Sequence, residues 1–471
     1  MFLGGTERMK KTRSLALIMS AALFAAACGS SSKSSSSTAS TPTVASSTSA
    51  AATTTPSTTG GSATAPSDTS AAVTTDGVTT TPTNLTVPDN ADQGVKGDSI
   101  NIGWMGDATG PTATSSGVQG KGVEAAVKYI NDNGGVLGRK LTLSEKDVQF
   151  NADLAKTGYN SIVHDEKVLT LLDTGPSTDS LAVVPDIEKD GIPVLGPALT
   201  INQFLPVPNF YSLFPHYGNQ ADAMVASLDD RVDAPLKVVM FAAEVASAQE
   251  VIDNVKRATE AHNGTYVGDV TYNATTPNFA DAVTKVIDLI NSSGANAIVI
   301  HGGSSHGLGI ITELVAQGIK LPIAGIAGLA DPVMYTQGPP ETAQLLESAH
   351  AFVPAVYDCS ECKVIRDAVK GTDYEQYTKS PFFSFGWLEV MMTVQAMNRA
   401  ATASGKLTWE TMNTAIKAGP LDTGGLTCPV DFSKSNYSAC AIMFKWDTDH
   451  LVPTKPVADW PALNTFVPTA G

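Results

Sequence analysis

Residues Gly303-Ser304-Ser305-His306-Gly307 have the composition of a serine-nucleophile turn. They follow the apolar run Ala297-Ile-Val-Ile300 and precede a helical pattern, the setting in which a nucleophile elbow stands. In that reading Ser305 attacks an acyl carbon, and Asp331 or Asp358 with His350 or His450 completes a triad. Acyl transfer also needs a separate loop of donors for the oxyanion, and none is evident upstream. Glycine and serine recur at strand-to-helix turns for purely local reasons. The preferred reading therefore makes Ser304 and Ser305 polar contacts to a bound ligand, with His306 either joining them or facing solvent.

Hydroxyls recur at two other strand ends. Val168-Leu-Thr-Leu-Leu172 runs into Thr174-Gly-Pro-Ser177-Thr178 and then into a helix from about Leu181 to Lys189. Ser177, Thr178 and the unpaired N–H groups of the helix start converge there, and an anion fits that place. Ile192-Pro-Val-Leu195 ends in Gly196-Pro-Ala198-Leu-Thr200 with the same chemistry. The loop Gly106 to Pro111, which contains Asp107 and Thr109, closes the first strand of the series. In open α/β sheets ligands collect at such carboxyl ends.

Cys359-Ser-Glu-Cys362 has the spacing of a thioredoxin-type redox pair before a helical stretch, Val364 to Val369. In an exported chain the same spacing is expected to form a local structural disulfide. Cys428 and Cys440 flank a turn-rich segment and are expected to close it as a second bridge, with connectivity left open. No Cys/His spacing resembles a zinc site, so no metal is expected. Gly134-Gly135 and Gly138 do not form a dinucleotide fingerprint, no phosphate-loop motif occurs, and no cofactor is expected.

The elements that position these residues begin with Ile100 to Leu143. A strand, the loop at Gly106, a helix with Val123, Ala126, Val127 and Ile130 on one face, a Gly-Gly turn and a second strand make one βαβ unit. The same alternation continues through Lys237-Val-Val-Met-Phe241, Ala297 to Ile300 and Leu321 to Ile326, with a long helical pattern over Phe383 to Ala401. At 471 residues and 42% hydrophobic content the chain is expected to build two lobes. A net charge of −16 argues against a nucleic-acid partner.

Lys10, Lys11 and Arg13 precede the apolar run Leu15 to Phe24 and then Ala25-Ala26-Ala27-Cys28, an export signal too short to span a membrane stably. Met9 reads as a more natural start than Met1. Small residues before Cys28 resemble a bacterial lipoprotein signal in which Cys28 is lipidated; the alternative is a cleaved secretory signal. Ser30 to Thr86 is nearly all small and polar, which predicts a tether.

The order of Ile102-Gly103, Ala108-Thr-Gly-Pro111, the helix end Ile130-Asn-Asp-Asn-Gly-Gly-Val-Leu-Gly-Arg-Lys140, Gly175-Pro-Ser177 and Gly191-Ile-Pro193 with Pro197-Ala198 resembles the type I periplasmic-binding-protein fold. More narrowly, it resembles the branched-chain amino acid and amide group of ABC-transporter substrate-binding proteins, from about Asp98 to the low 450s. The resemblance implies an α/β fold of two Rossmann-like lobes with parallel central sheets, joined by a three-segment hinge. The expected division is residues 1–27 as signal, 28–96 as tether, 97–218 with 352–424 as the first lobe, 219–351 with 425–456 as the second, and 457–471 as a tail. The last passage between lobes is expected near Gly424.

The resemblance further implies that Ser177 and Thr200 hydroxyls, with the backbone at Ala198, hold a ligand carboxylate or comparable head in the first lobe. Asp107, Thr109, Thr178, Ser304, Ser305 and Asp331 complete the expected site. Trp104 and Phe150 are candidates for its apolar walls, with plain core as the alternative. The second lobe departs from the amino-acid-binding pattern, because Ala327-Gly-Leu-Ala-Asp331 stands where an acidic side chain is usual and His301 to Gly307 has no tyrosine. Glu244 or Asp331 would have to supply the missing carboxylate. The expected function is that of a lipid-anchored extracytoplasmic monomer that captures a small polar solute (amino acid, amide or small carboxylate) and delivers it to ABC permease and ATPase subunits. The alternatives are a ligand sensor for a membrane signalling protein and a serine hydrolase using Ser305.

Overall fold

The computed structural model describes residues 85–197, 201–275 and 277–455. Among them are two sheets, each with helices packed on it. In the first, β1 (Val95–Lys96) pairs antiparallel with β2 (Ser99–Gly106), while β3 (Lys140–Asp147), β4 (Leu171–Leu172), β5 (Val194–Leu195) and β6 (Phe210–Pro215) extend it in parallel. β2 is buried at every residue from Ile102 through Gly106, as a central parallel strand covered on both faces must be. Helix α1 (Ser116–Asp132) crosses from β2 to β3 and buries the Val123, Ala126, Val127 and Ile130 face that its spacing predicts. Helix α2 (Ala152–Asn160) continues as a π-helical turn, Ser161–Glu166. Helix α3 (Ser177–Asp190) starts at Ser177, four residues before the start read from sequence, and ends where Gly191 takes φ 76°.

The chain then passes to the second lobe. Helix α4 (Tyr217–Asp229) leads into β7 (Lys237–Ala243), α5 (Ala248–Ala261), β8 (Thr265–Tyr272), α6 (Phe279–Ser293), β9 (Ala297–His301), α7 (Ser304–Ala316) and β10 (Ile323–Gly325). Two short turns, α8 (Val333–Thr336) and α9 (Thr342–Leu345), precede β11 (Leu346–His350). The second passage follows His350. Helices α10 (Ser360–Val369), α11 (Pro381–Ser404) and α12 (Trp409–Ile416) belong to the first lobe, with α11 packed along α1.

The third passage differs from the expectation. Strand β12 (Tyr437–Ser438) pairs in parallel with β6 in the first sheet, and only then does the chain form β13 (Ile442–Asp447) and β14 (His450–Pro453) as an antiparallel pair on β11. The crossing therefore lies between Ser438 and Ile442, not near Gly424. Gly424 instead docks on the start of α10, its carbonyl accepting from the Glu361 N–H and the Ser360 hydroxyl. Gly424 holds φ 56°, a conformation that glycine adopts without strain. Cys359 and Cys362 are joined in a disulfide, as are Cys428 and Cys440. Among the described residues no helix is long and apolar enough to cross a membrane.

The cavity between the lobes

The carboxyl ends of both sheets face one another across a cavity of about 100 Å³. Four helix starts reach it: Ser115 and Ser116 of α1, Pro176 and Ser177 of α3, Ser247 before α5 and Gly303 before α7. Helix starts carry unpaired N–H groups and the positive end of the dipole, so polar oxygen atoms are favoured there. The remaining walls are largely apolar. Phe150, Phe214 and Phe382 come from the first lobe, and Tyr217, Ala243, Val245, Ile326 and Ala327 come from the second-lobe side. Phe150 and Gln149 hold φ values of 55° and 51°, a left-handed pair unusual for side chains of this size, which turns the Phe150 backbone at the cavity edge.

Hydrogen bonds join the lobes around this cavity. The Ser305 hydroxyl donates to the Pro111 carbonyl at 3.0 Å, Thr114 and Ser304 hydroxyls are 2.5 Å apart, and the Ser177 hydroxyl donates to Ser247 at 3.4 Å. Nearer the first crossing, Glu250 of α5 accepts from the Asn202 N–H at 2.9 Å and lies 2.7 Å from the buried His216 ring. The lobes are thus closed on one another.

Of the residues expected to bind ligand, the structure puts Ser177 on the cavity wall, together with the Phe150 side of the apolar pair. Thr178 lies just outside, its hydroxyl accepting from the Ala246 N–H. Asp107 is fully buried but spends its carboxylate on its own loop, accepting from the Gly110 and Thr112 N–H groups and the Thr112 hydroxyl. Thr109 donates to Asp147. Ser304 and Asp331 bond one another, and Asp331 also accepts from the Val333 N–H. None of these four lines the cavity. Trp104 packs in the first-lobe core. Ser305 is exposed and engaged with Pro111, while His306 lines the cavity with both ring nitrogens engaged locally, on the Gly303 N–H and the Ala274 carbonyl. Glu244 is not among the lining residues. Cys28, Ala198 and Thr200 lie outside the described residues.

The sequence reading passed over four cavity residues. Asp173 directly follows β4 and has φ 59°; its carboxylate accepts from the Thr174 and Gly175 N–H groups. Its place at a strand end was a usable signal. Gln119 sits mid-helix in α1 and donates from its amide nitrogen to both oxygens of Glu389 at 3.0 and 3.1 Å, a contact no local pattern reveals. Ser247 and His301 meet at 3.1 Å.

The sequence profile of the family described as "Periplasmic binding protein" matches residues 99–450. The chain belongs to the periplasmic binding protein family. The Leu/Ile/Val-binding protein homolog 3 of Brucella melitensis is 23% identical to it over 365 residues, 75% of this chain and 93% of that protein. Among solved structures, a fatty acid ABC transporter substrate-binding protein from Thermomonospora curvata matches with a TM-score of 0.69 at 21% identity, covering 78% of this chain and 94% of that one. A branched chain amino acid ABC transporter structure from Thermus thermophilus with bound valine matches with a TM-score of 0.68 at 18% identity, covering 76% and 95%. The fold is that of type I periplasmic binding proteins, two α/β lobes and a three-segment hinge around a cleft.

Electrostatically, this periplasmic binding protein concentrates acid in its first lobe. Burial, then the neighbouring Asp107 and Asp173, push the Asp179 carboxyl up to about 7. Burial and Asp173 hold Glu389 well above the usual carboxylate range. In the second lobe, burial and then His306 lower His301 to about 3, so its ring is neutral.

These shifts give stability a pH dependence. A carboxyl raised on folding keeps a proton that the unfolded chain has already lost, so its contribution falls as pH rises through the folded value. Buried His301 and His350, both lowered to about 3, work in the opposite sense, but only up to the unfolded histidine range near 6.5. Between pH 6.5 and 8 the carboxyl effect therefore stands alone. Melting temperature should fall across that window, by up to about 1.4 kcal/mol of stability per pH unit for each such carboxyl. Asp179→Asn should flatten the slope in thermal melts. An unchanged slope in the variant would remove Asp179 as its source.

Proposed function

We propose that this periplasmic binding protein is an extracytoplasmic receptor that captures one small solute between its lobes and presents the closed form to the membrane subunits of an ABC importer. The cavity carries the reading: it is walled by residues of both lobes and spanned by hydrogen bonds from one lobe to the other. Such a pocket gains contacts only on closure, so a ligand shifts the lobes toward the closed state by its preference for that state. The lining suits a solute with an apolar body and one polar head, such as an amino acid, an amide or a small acid. The names of the relatives, which concern branched-chain amino acids and fatty acids, agree with an apolar body. The Ser177 hydroxyl is assigned to the ligand's polar group. Lipidation at Cys28, with the Ser/Thr-rich stretch as tether, would hold the receptor at the membrane surface.

The reading is tested by thermal melts of the protein against amino acids, amides, organic acids and fatty acids. A solute bound only by the folded state at a hundredfold above its dissociation constant should add about 2.7 kcal/mol. Saturable stabilisation without consumption of the solute is expected. Turnover of an added ester that is lost in Ser305→Ala would replace the receptor reading with a hydrolase.

A further inference from the structure

We infer that His301 reads the solute from the second-lobe side, its ring Nδ1 hydrogen-bonded to a neutral oxygen of the solute, a hydroxyl or a keto group, where an ammonium would need an acid. This rests on the receptor reading above and narrows which solutes the cavity takes.

His301 ends β9 and is 2% exposed, and its ring stands on the cavity wall. The residue is held at three points. Nε2 lies 3.1 Å from the Ser247 hydroxyl, the Tyr217 ring packs edge-on with centroids 5.9 Å apart, and the Tyr272 hydroxyl donates to the His301 carbonyl at 2.9 Å. Its Nδ1 is buried and has no hydrogen-bond partner among the described residues. A buried polar atom left in that state costs free energy, which a ligand group recovers on binding. The other histidine on the wall, His306, offers no such atom, because its two ring nitrogens are taken by the Gly303 N–H and the Ala274 carbonyl.

Burial, then the neighbouring His306, keep the His301 ring neutral. A neutral imidazole carries its hydrogen on one nitrogen and a lone pair on the other, and the Ser247 hydroxyl complements Nε2 in either form. Nδ1 is thus a donor or an acceptor. A hydroxyl on the solute satisfies both forms, and a keto oxygen satisfies the donor form. An ammonium meets only the acceptor form, and the ring brings no negative charge to offset its own, so moving it from water to this wall is costly. The second-lobe wall supplies no such charge either, since it has no Asp or Glu among the described lining residues. Glu244 is exposed and off the wall, and Asp331 is engaged by Ser304 and the Val333 N–H. Asp173 stands on the first-lobe wall, where its carboxylate accepts from the Thr174 and Gly175 N–H groups.

The test uses 4-methylpentanoate and its derivatives with a hydroxyl, a keto oxygen or an ammonium on the second carbon, the last being leucine, titrated calorimetrically into the full-length protein. The hydroxy acid should bind about tenfold more tightly than both leucine and the unsubstituted acid, as one added hydrogen bond of ordinary strength gives, with the keto acid between. His301→Phe should level the hydroxy and unsubstituted acids, and His301→Asn, which keeps a polar atom near the Nδ1 position, should restore the preference. The order in the unmodified protein decides the matter even if neither variant folds. Leucine bound as tightly as the hydroxy acid, or a hydroxy acid bound no more tightly than the unsubstituted one, overturns the inference and leaves the receptor reading in place. If none of the four binds, the inference falls, and the thermal screen decides the receptor reading.

Discussion

Gly386→Val should lower the stability of the fold by about 3 kcal/mol, the upper end of what inserted methyl groups cost in a packed core. A Cβ on Gly386 would stand 1.9 Å from the Gln119 carbonyl oxygen and 3.0 Å from the Val123 nitrogen. Across the same contact, a Cβ on Gly122 would stand 2.2 Å from the Phe383 carbonyl oxygen and 2.9 Å from the Trp387 nitrogen. Each glycine thus meets the backbone of the opposite helix, which has no rotamer with which to move aside. Even Gly386→Ala, which gains roughly 1 kcal/mol of helix propensity, should destabilise. Urea unfolding measures both. A neutral or stabilising alanine would mean that α1 and α11 separate at little cost.

The second large effect concerns the cavity itself. Ala327→Leu should weaken capture of the best solute from the thermal screen at least a hundredfold, about 2.7 kcal/mol. Ala327 is 1% exposed and lines the cavity at the end of the second sheet, and its N–H is held by the Gln220 side chain, so the backbone there is fixed. Added carbon then occupies ligand space in a cavity of only about 100 Å³. Calorimetry on the variant gives the affinity. Undiminished binding would place the solute elsewhere in the molecule.

Much of the architecture was readable because its signals are local. The Val123 to Ile130 face, the Gly134-Gly135 stop and the strand at Ile100 depend on neighbours within one turn or one strand. Ser177 was readable for the same reason, since a hydroxyl between a strand end and a helix start has few places to go. Less legible were residues whose structural and ligand-binding roles look identical in sequence. Asp107 is engaged by its own loop, Thr109 by Asp147, and Ser304 by Asp331 and Thr114, yet polar residues at strand ends would read the same way if they faced a solute. Gln119 shows the opposite case. Its meaning depends on Glu389, 270 positions away, and no period or motif carries that distance. The last crossing was misplaced because β12 has two residues, Tyr437 and Ser438, too short to leave a pattern.

The path of the chain has a consequence for folding. Residues from Tyr217 to His350 supply five of the second lobe's strands in one continuous run. The first lobe is different: β2 opens it, yet α11, which fills its core, and β12, which closes its sheet, arrive more than 270 residues later. Contacts so far apart in the chain carry a large loop-closure entropy and slow the step that makes them. The second lobe can therefore nucleate on local contacts, while the first waits as an incomplete half-core with its α1 face bare. During that interval the bare face is the part of the molecule most open to mispairing with another chain, and a fast-folding partner lobe does nothing to cover it.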